Sequence, residues 1–313
     1  MKILLTGGTG FLGKNLTKIL RETYGPTEVR PVGSACWDLR ESKYSDEVID
    51  RFKPEVVIHA AGSVGGIGAN QENPGKFMYE NLIMGANLIE AARNFGIDKF
   101  VLLGTVCAYP KFTPVPFEEK QIWNGYPEET NAPYGIAKKA LMKLLETYNE
   151  QYEMNCANLI PVNMYGPHDH FNLTSSHVIP ALILKFYNAM KAGERQVTIW
   201  GTGEASREFL YAEDCCEALE TVMDEYDNLS CDDELHITTG VYTTVLEIAE
   251  EIKSLFAGIG KTITVTPAQS KDEVQKDARN EPDLYINEFW QYKTSVPEGL
   301  KKVFEEMKKD YDS

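Results

Sequence analysis

The 313-residue chain has no CxxC pair: its six cysteines, at positions 36, 107, 156, 215, 216 and 231, are scattered, and two of them are adjacent. That spacing suggests neither a zinc site nor a disulfide framework, and most of the thiols are expected to be small buried hydrophobes. No apolar run approaches the roughly 18 residues of a membrane span, and the glycines of MKILLTGGTGFLG interrupt any signal-peptide core. A cytoplasmic location is expected. Positive charge is scarce: 31 Lys and Arg face 47 Asp and Glu, and the formal net charge of -16 repels a nucleic-acid backbone or an anionic membrane surface. A phosphate-bearing ligand must therefore find a local basic pocket. Internal repeats and low-complexity segments are also missing.

What is present is a large apolar fraction, 43%, which is enough for a sizeable core. The first half alternates short apolar runs with helical patterns: KILLTG, FLGKNLTKILRETY, EVRPVG, EVVIHAAG, a helix from about Pro74 to Phe95, then KFVLLG. Parallel strands need a covering crossover between them, so this alternation predicts an α/β fold with a doubly wound parallel sheet of Rossmann type. CANLIPVNMYGP supplies another strand. Beyond about Gly166 the pattern loosens into a helix (VIPALILKFYNAMKAG), a strand (QVTIW) and a series ending in VPEGLKKVFEEMKKD. The expected domains are 1–165, binding a dinucleotide, with part of 210–240 packing back on it, and a smaller α/β substrate domain over 166–313.

The glycines of TGGTGFLG fall at Gly7, Gly10 and Gly13, directly after the first strand and at the start of a helix. A helix N-terminus with glycine backbone beside it can hold a pyrophosphate. The second strand ends in Val32-Gly33-Ser34, with no Asp or Glu to accept bonds from a free ribose 2′-hydroxyl. The cofactor is therefore expected to be NADP, with Ser34, Lys14 or Arg40 meeting the 2′-phosphate and Asp38-Leu39 near the adenine.

Tyr134 and Lys138 in PYGIAKKAL are four apart and share one helix face. Lys138 is expected to lower the pKa of the Tyr134 phenol, so that it delivers or removes a proton near neutral pH. Thr105 stands just beyond the preceding strand, in GTVCAYP. Cys107, two residues on, is inert filler or an acid/base group; its place at the carboxyl end of a central strand, where open α/β sheets bind ligands, favours the second.

With these residues the chain resembles the extended short-chain dehydrogenase/reductase family, over residues 1 to about 215. Within that family it is similar to the 3,5-epimerase/4-reductases of GDP-4-keto-6-deoxymannose. The strings that carry the resemblance are SVGGIGAN (63–70), GTVCAYP (104–110), NAPYGIAKKA (131–140), PVNMYGPHDHFN (161–172), SSHVIPALI (175–183) and VTIWGTGEASREFLY (197–211). The resemblance implies that Thr105, Tyr134 and Lys138 polarise a 4-keto group to which NADPH delivers hydride. It implies that Cys107 and His177 move protons at C3 and C5, and that Asn163, Lys185, Trp200 and Arg207 contact the nucleotide-sugar. It lays Gly7, Gly10, Phe11, Leu12, Gly13, Ser34, Asp38, Leu39, Ala60, Tyr134, Lys138, Pro161, Asn163 and His177 along the dinucleotide.

The chain departs from those enzymes at Thr105, where they usually carry Ser, and over 270–285, where Lys276 or Arg279 is expected to replace a missing basic pattern.

Elementary chemistry supports the division of labour. Protons on carbons beside a ketone are acidified by enolate formation, and inverting a stereocentre needs one group on each face. A thiolate and an imidazole, both tunable toward neutrality, suit that task. Arg207 beside Glu208 is a phosphate ligand or half of an ion pair. His168 and His170 form an HxH without a third ligand and are expected to be loop residues, with no metal; His59 is expected to be structural. A homodimer is expected because the helices around 74–95 and 133–151 carry more apolar residues than one buried face needs.

Overall fold

The computed structural model describes residues 1–97, 99–173, 175–226, 229, 234–258, 260, 262–267, 277–278 and 290–311. The chain runs β1 (Ile3–Thr6), α1 (Phe11–Tyr24), β2 (Val29–Val32), α2 (Ser42–Phe52), β3 (Val56–His59), α3 (Ile67–Glu72), α4 (Pro74–Asn94) and β4 (Lys99–Leu103). Two 3-10 turns, Val106–Ala108 and Glu119–Trp123, precede α5 (Ala132–Tyr152), β5 (Asn155–Pro161) and β6 (Asn163–Tyr165). Then follow α6 (Val178–Ala192), β7 (Gln196–Ile199), β8 (Ser206–Tyr211), α7 (Ala212–Asp224), β9 (Glu234–Ile237), β10 (Tyr242–Thr244), α8 (Val245–Gly258), β11 (Thr264–Pro267), β12 (Asp277–Ala278) and α9 (Val296–Tyr311).

Six strands form one sheet in the order β2-β1-β3-β4-β5-β9, and every pairing in it is parallel. The apolar runs read as continuous because both faces are covered. Side chains alternate along each strand: Ile3, Leu5, Val56, Ile58, Val101 and Leu103 join a core with α1 and α7, whereas Leu4, Val57, Phe100 and Leu102 join one with α2, α4 and α5. The sheet grows outward in both directions from β1, so the connections leaving β1 and β3 diverge and open a crevice at the carboxyl ends of the strands. The loops after β1, β3 and β4 meet there.

A third core, built from α6, α8 and α9, supports the remaining strands. β8 pairs with β6, β10 and β12, and β7 with β11. The expected single strand in CANLIPVNMYGP is two. The backbone N–H of Val162 bonds to the Ile237 carbonyl, after which β6 leaves the large sheet and pairs with β8. One sequence run thus crosses from one sheet to the other beside the crevice.

Cys156, buried on β5, is disulfide-bonded, against the expectation of no disulfide. Cys231, Lys276 and Arg279 lie outside the described residues.

Candidate active site

The turn after β1 is built for close approach. Gly7 has a φ of 73°, and a Cβ on Gly13 would sit 1.9 Å from the Gly7 carbonyl oxygen. Only glycine allows α1 to start that near the strand. Gly10 caps α1 without a side-chain bond, and the first turn, with Phe11 and Leu12, carries no acidic residue. The amino end of α1 therefore offers backbone N–H groups and the positive end of its dipole to an anion. These features fit a dinucleotide pyrophosphate.

Beyond β2, Ser34 is exposed and a Cβ on Gly33 would lie 2.3 Å from Thr9 Oγ1. Arg40 Nε and Nη2 donate to the two oxygens of Asp38 at 2.8 and 2.7 Å, and Nη1 donates to Glu80 at 2.7 Å. The cation expected near a 2′-phosphate is thus already held by two carboxylates, and its bonds keep Asp38 below the usual carboxylate range. Leu39 is buried in the core and its carbonyl accepts from Asn87 Nδ2 at 2.9 Å.

At the end of β3, His59 Nδ1 lies 2.8 Å from Thr6 Oγ1, and burial takes its pKa down to about 3. It is a neutral, satisfied core histidine. The next segment, Ala60 to Gly66, is held by a buried residue that sequence reasoning missed. Asn81 Oδ1 accepts from Ser63 N at 2.9 Å, and its Nδ2 donates to the Ser63 and Phe77 carbonyls at 2.8 and 2.6 Å. An amide amid the apolar positions of α4 was the available signal. The same loop docks on the residues before His177: Gly66 N donates to Ser175 O at 2.9 Å, and a Cβ on Gly66 would meet Ser176 O at 2.5 Å.

The turn after β4 brings four of the sequence candidates together. Thr105 caps the 106–108 turn, its hydroxyl accepting from Cys107 N at 3.2 Å. Thr105 also shares hydrogen bonds with the Tyr134 hydroxyl and the Cys107 thiol. A Cβ on Gly135 would lie 2.3 Å from Cys107 O, so α5 touches this turn backbone to backbone. Burial raises the Tyr134 pKa, the nearby Cys107 charge adds to that, and the Thr105 bond opposes it. Burial likewise raises Cys107, against the Thr105 bond and the charge of Arg207, while Glu128 raises it further. The charge of Arg207, from β8, thus acts on the thiol.

The expected electrostatic coupling of Lys138 to Tyr134 is not what sets either group. Lys138 Nζ donates to the Leu103 carbonyl at 2.8 Å, and burial takes its pKa down to about 8. Its ammonium is bonded to the strand end, and burial holds Tyr134 above its ordinary range in the protein alone.

The remaining candidates line the second lobe. Lys185 Nζ lies 5.1 Å from the centroid of the Trp200 ring, which is 69% exposed, and donates to Thr198 O at 3.3 Å. Asn163 Nδ2 donates to Glu208 O at 3.0 Å, and the Glu208 carboxylate accepts from Thr238 Oγ1 and Thr239 N. Adjacent residues on a strand face opposite ways, so Arg207 and Glu208 serve different partners. Pro161 is buried at the end of β5, opposite Ile237. His177 caps α6 with an open side chain, yet the protein around it lowers its pKa by desolvation. His168 Nδ1 is 3.6 Å from Glu306, and no group of three or more His, Cys, Asp or Glu that could hold a metal ion occurs among the described residues.

Lys138 yields a stability test. The unfolded side chain titrates near 10.4 and the folded one at about 8, so between those values the unfolded state binds the extra proton and wild-type stability climbs with pH. Lys138→Met should be the more stable protein near pH 7, by on the order of 3 kcal/mol less the lost Leu103 bond, and should lose that margin by about pH 10. Urea melts of both proteins across this range check it; a margin independent of pH contradicts it.

The NAD dependent epimerase/dehydratase family pattern matches residues 3–237. Over 97% of its length the chain is 34% identical to a GDP-L-fucose synthase of Sinorhizobium fredii, covering 94% of that protein. Over 97% it is also 36% identical to a GDP-L-colitose synthase of Yersinia pseudotuberculosis, covering 96% of it. The solved GDP-L-fucose synthetase of Naegleria fowleri with NADP bound superposes with a TM-score of 0.86 at 27% identity, over 99% of this chain and 93% of that one. A glycine turn against α1, a Thr-Tyr pair at the end of β4 and a match spanning the whole large sheet agree: the chain belongs to the NAD dependent epimerase/dehydratase family.

Proposed function

We propose that the protein converts GDP-4-keto-6-deoxymannose to GDP-L-fucose, by epimerisation at C3 and C5 and NADPH-dependent reduction at C4. The observation that carries this reading is a thiol on the same turn as the Thr105-Tyr134 pair, in a chain similar end to end to GDP-L-fucose synthases. Ketoreduction alone calls on no proton-transfer group at the carbons beside the ketone, and the thiol on this turn is placed to supply one.

In this reading residues 1–165, with the segment of 210–240 that returns to the large sheet, hold the dinucleotide, and 166–313 hold the sugar nucleotide. The glycine turn and the amino end of α1 bind the pyrophosphate. The β2 end, lacking an acid, favours NADP, and Ser34 is the exposed group beside the ribose. Bound NADPH supplies hydride to C4. Thr105 and Tyr134 hydrogen-bond the C4 oxygen, stabilising negative charge on it during enolate formation, and Tyr134 protonates it during reduction. Cys107 and His177 act as the base and acid at C3 and C5, one removing the proton and the other returning it on the opposite face. Their desolvation keeps both near the neutral form, from which either can exchange a proton. Lys138, tied to the end of β4, holds α5 in place and sets positive charge below the reacting oxygen. Arg207 and Lys185 neutralise the diphosphate, and Trp200 offers an exposed ring beside Lys185 for stacking.

A second reading is a related enzyme that acts on another nucleotide-sugar or performs only one of the steps; the similarity to a GDP-L-colitose synthase favours it. Incubation with GDP-4-keto-6-deoxymannose and NADPH in D2O separates the two. The first reading predicts deuterium at C3 and C5 together with NADPH oxidation, and oxidation without deuterium leaves only a reductase.

A cytoplasmic homodimer is part of the same proposal. No described helix is long and apolar enough to cross a membrane. Met78, Tyr79 and Phe95 along and just past α4 and Tyr152 at the end of α5 remain exposed, which favours pairing through these two helices. Sedimentation equilibrium should give twice the 35.2 kDa chain mass, and a monomer contradicts the pairing.

A further inference from the structure

The turn that bears Thr105 and Cys107 continues into a buried polar contact that the site chemistry leaves unexplained. Tyr109 caps the turn, its N–H bonded to Val106 O at 3.1 Å. Its hydroxyl lies 2.5 Å from Nε2 of His236 on β9 and bonds to Glu119 O at 3.3 Å. Tyr109 is 3% exposed and His236 2%. The neighbours of His236, Leu235 and Ile237, belong to the core on the α1 face, so alternation sends the imidazole to the other face, where Tyr109, Phe117 and Ile122 pack. The Tyr109 ring stacks on Phe117 with centroids 5.0 Å apart. An imidazole and a phenol in an apolar layer are each costly without a partner, and here each serves the other.

The chain just past β9 runs on into residues that hold β8, the strand bearing Arg207. Two and three residues after His236, Thr238 and Thr239 bond to the carboxylate of Glu208, whose neighbour Arg207 acts electrostatically on Cys107. One short segment, 236–239, therefore grips the turn that carries the thiol and the strand that carries its cation. The grip needs no contact with substrate.

We infer that Tyr109 and His236 are positioning residues, and that segment 236–239 sets the placement of Cys107 relative to Thr105 and Arg207 for proton transfer at C3 and C5. This inference rests on the epimerase/reductase reading. Loss of the Tyr109–His236 bond frees the turn at one end, so Cys107 drifts from the Thr105 hydroxyl and from Arg207, the two groups that favour its thiolate, while Glu128 and Tyr134 remain beside it. Misplacement on the ångström scale costs about tenfold to a hundredfold in rate. The nucleotide-binding turn after β1 lies elsewhere on the sheet, so NADPH affinity is unaffected.

The test compares wild type with Tyr109→Phe, His236→Leu and His236→Gln. The first readout needs no substrate: alkylation of Cys107 by iodoacetamide as a function of pH, followed by peptide mass mapping, with exposed Cys36 as internal reference. In Tyr109→Phe and His236→Leu the Cys107 profile moves to higher pH and the Cys36 profile stays. Deuterium exchange at C3 and C5 falls by about tenfold or more while the NADPH dissociation constant holds. His236→Gln, which keeps a donor for the phenol oxygen, follows wild type. A Cys107 profile unchanged in Tyr109→Phe overturns the inference, as does a shift shared with Cys36, which signals general loosening. If His236→Leu does not fold, Tyr109→Phe, lacking one oxygen, decides alone. Wild type that fails to exchange C3 and C5 would sink the function reading, and the alkylation profiles would still judge the positioning.

Discussion

The structure depends on one close approach, the backbone of α5 against the turn that follows β4. With a side chain at Gly135 the helix would have to retreat, because a Cβ there would fall 2.3 Å from the Cys107 carbonyl. Because it does not retreat, Tyr134 comes within hydrogen-bonding reach of Thr105, and one turn later Lys138 reaches the Leu103 carbonyl at the strand end. A similar contact, Gly85 on α4 against Leu141 on α5, seats the helix from its other side, since a Cβ at Gly85 would lie 2.2 Å from a Leu141 methyl. Packing, more than any single charge, fixes the distances at the reacting end of the sheet.

The same packing strips water from the groups it gathers, and desolvation then disfavours whichever form is charged. Tyr134 and Cys107 are pushed up, Lys138 down to about 8, and His59 down to about 3. In the protein alone Tyr134, Cys107 and His59 are thus held neutral, while Lys138 keeps its charge near pH 7. In the proposed function charge enters with the ligands, and a chain with a net charge of -16 offers Arg207 and Lys185 to receive it. Arg40 shows the opposite arrangement, with Asp38 and Glu80 already neutralising it.

Much of this was legible from local chemistry. The parallel strands are runs of apolar residues because both faces are buried, the glycine turn announces itself by spacing, and Tyr134 and Lys138 share a helix face by simple periodicity. What was not legible depends on contacts between distant residues. Nothing in PYGIAKKAL says that Lys138 turns to a carbonyl 35 residues earlier, and nothing in ELHITTG says that His236 meets Tyr109 across 127 residues. The split between β5 and β6 escaped notice because CANLIPVNMYGP is largely apolar with no turn signal between its halves, while the change of sheet is enforced by where Ile237 and Phe209 lie. Asn81 looked like one polar residue in a helix, and only its three bonds to Ser63 and Phe77 show that it shapes the loop beside His177.

The account makes one turn divide the chemistry, with Thr105 serving the ketone oxygen and Cys107 the neighbouring carbon. The most direct measurement is C3 and C5 deuterium exchange by Cys107→Ser on GDP-4-keto-6-deoxymannose in D2O, with NADPH binding measured alongside. Exchange abolished with NADPH affinity intact is the result the account predicts. Exchange at the wild-type rate would return the thiol to the inert core and contradict it.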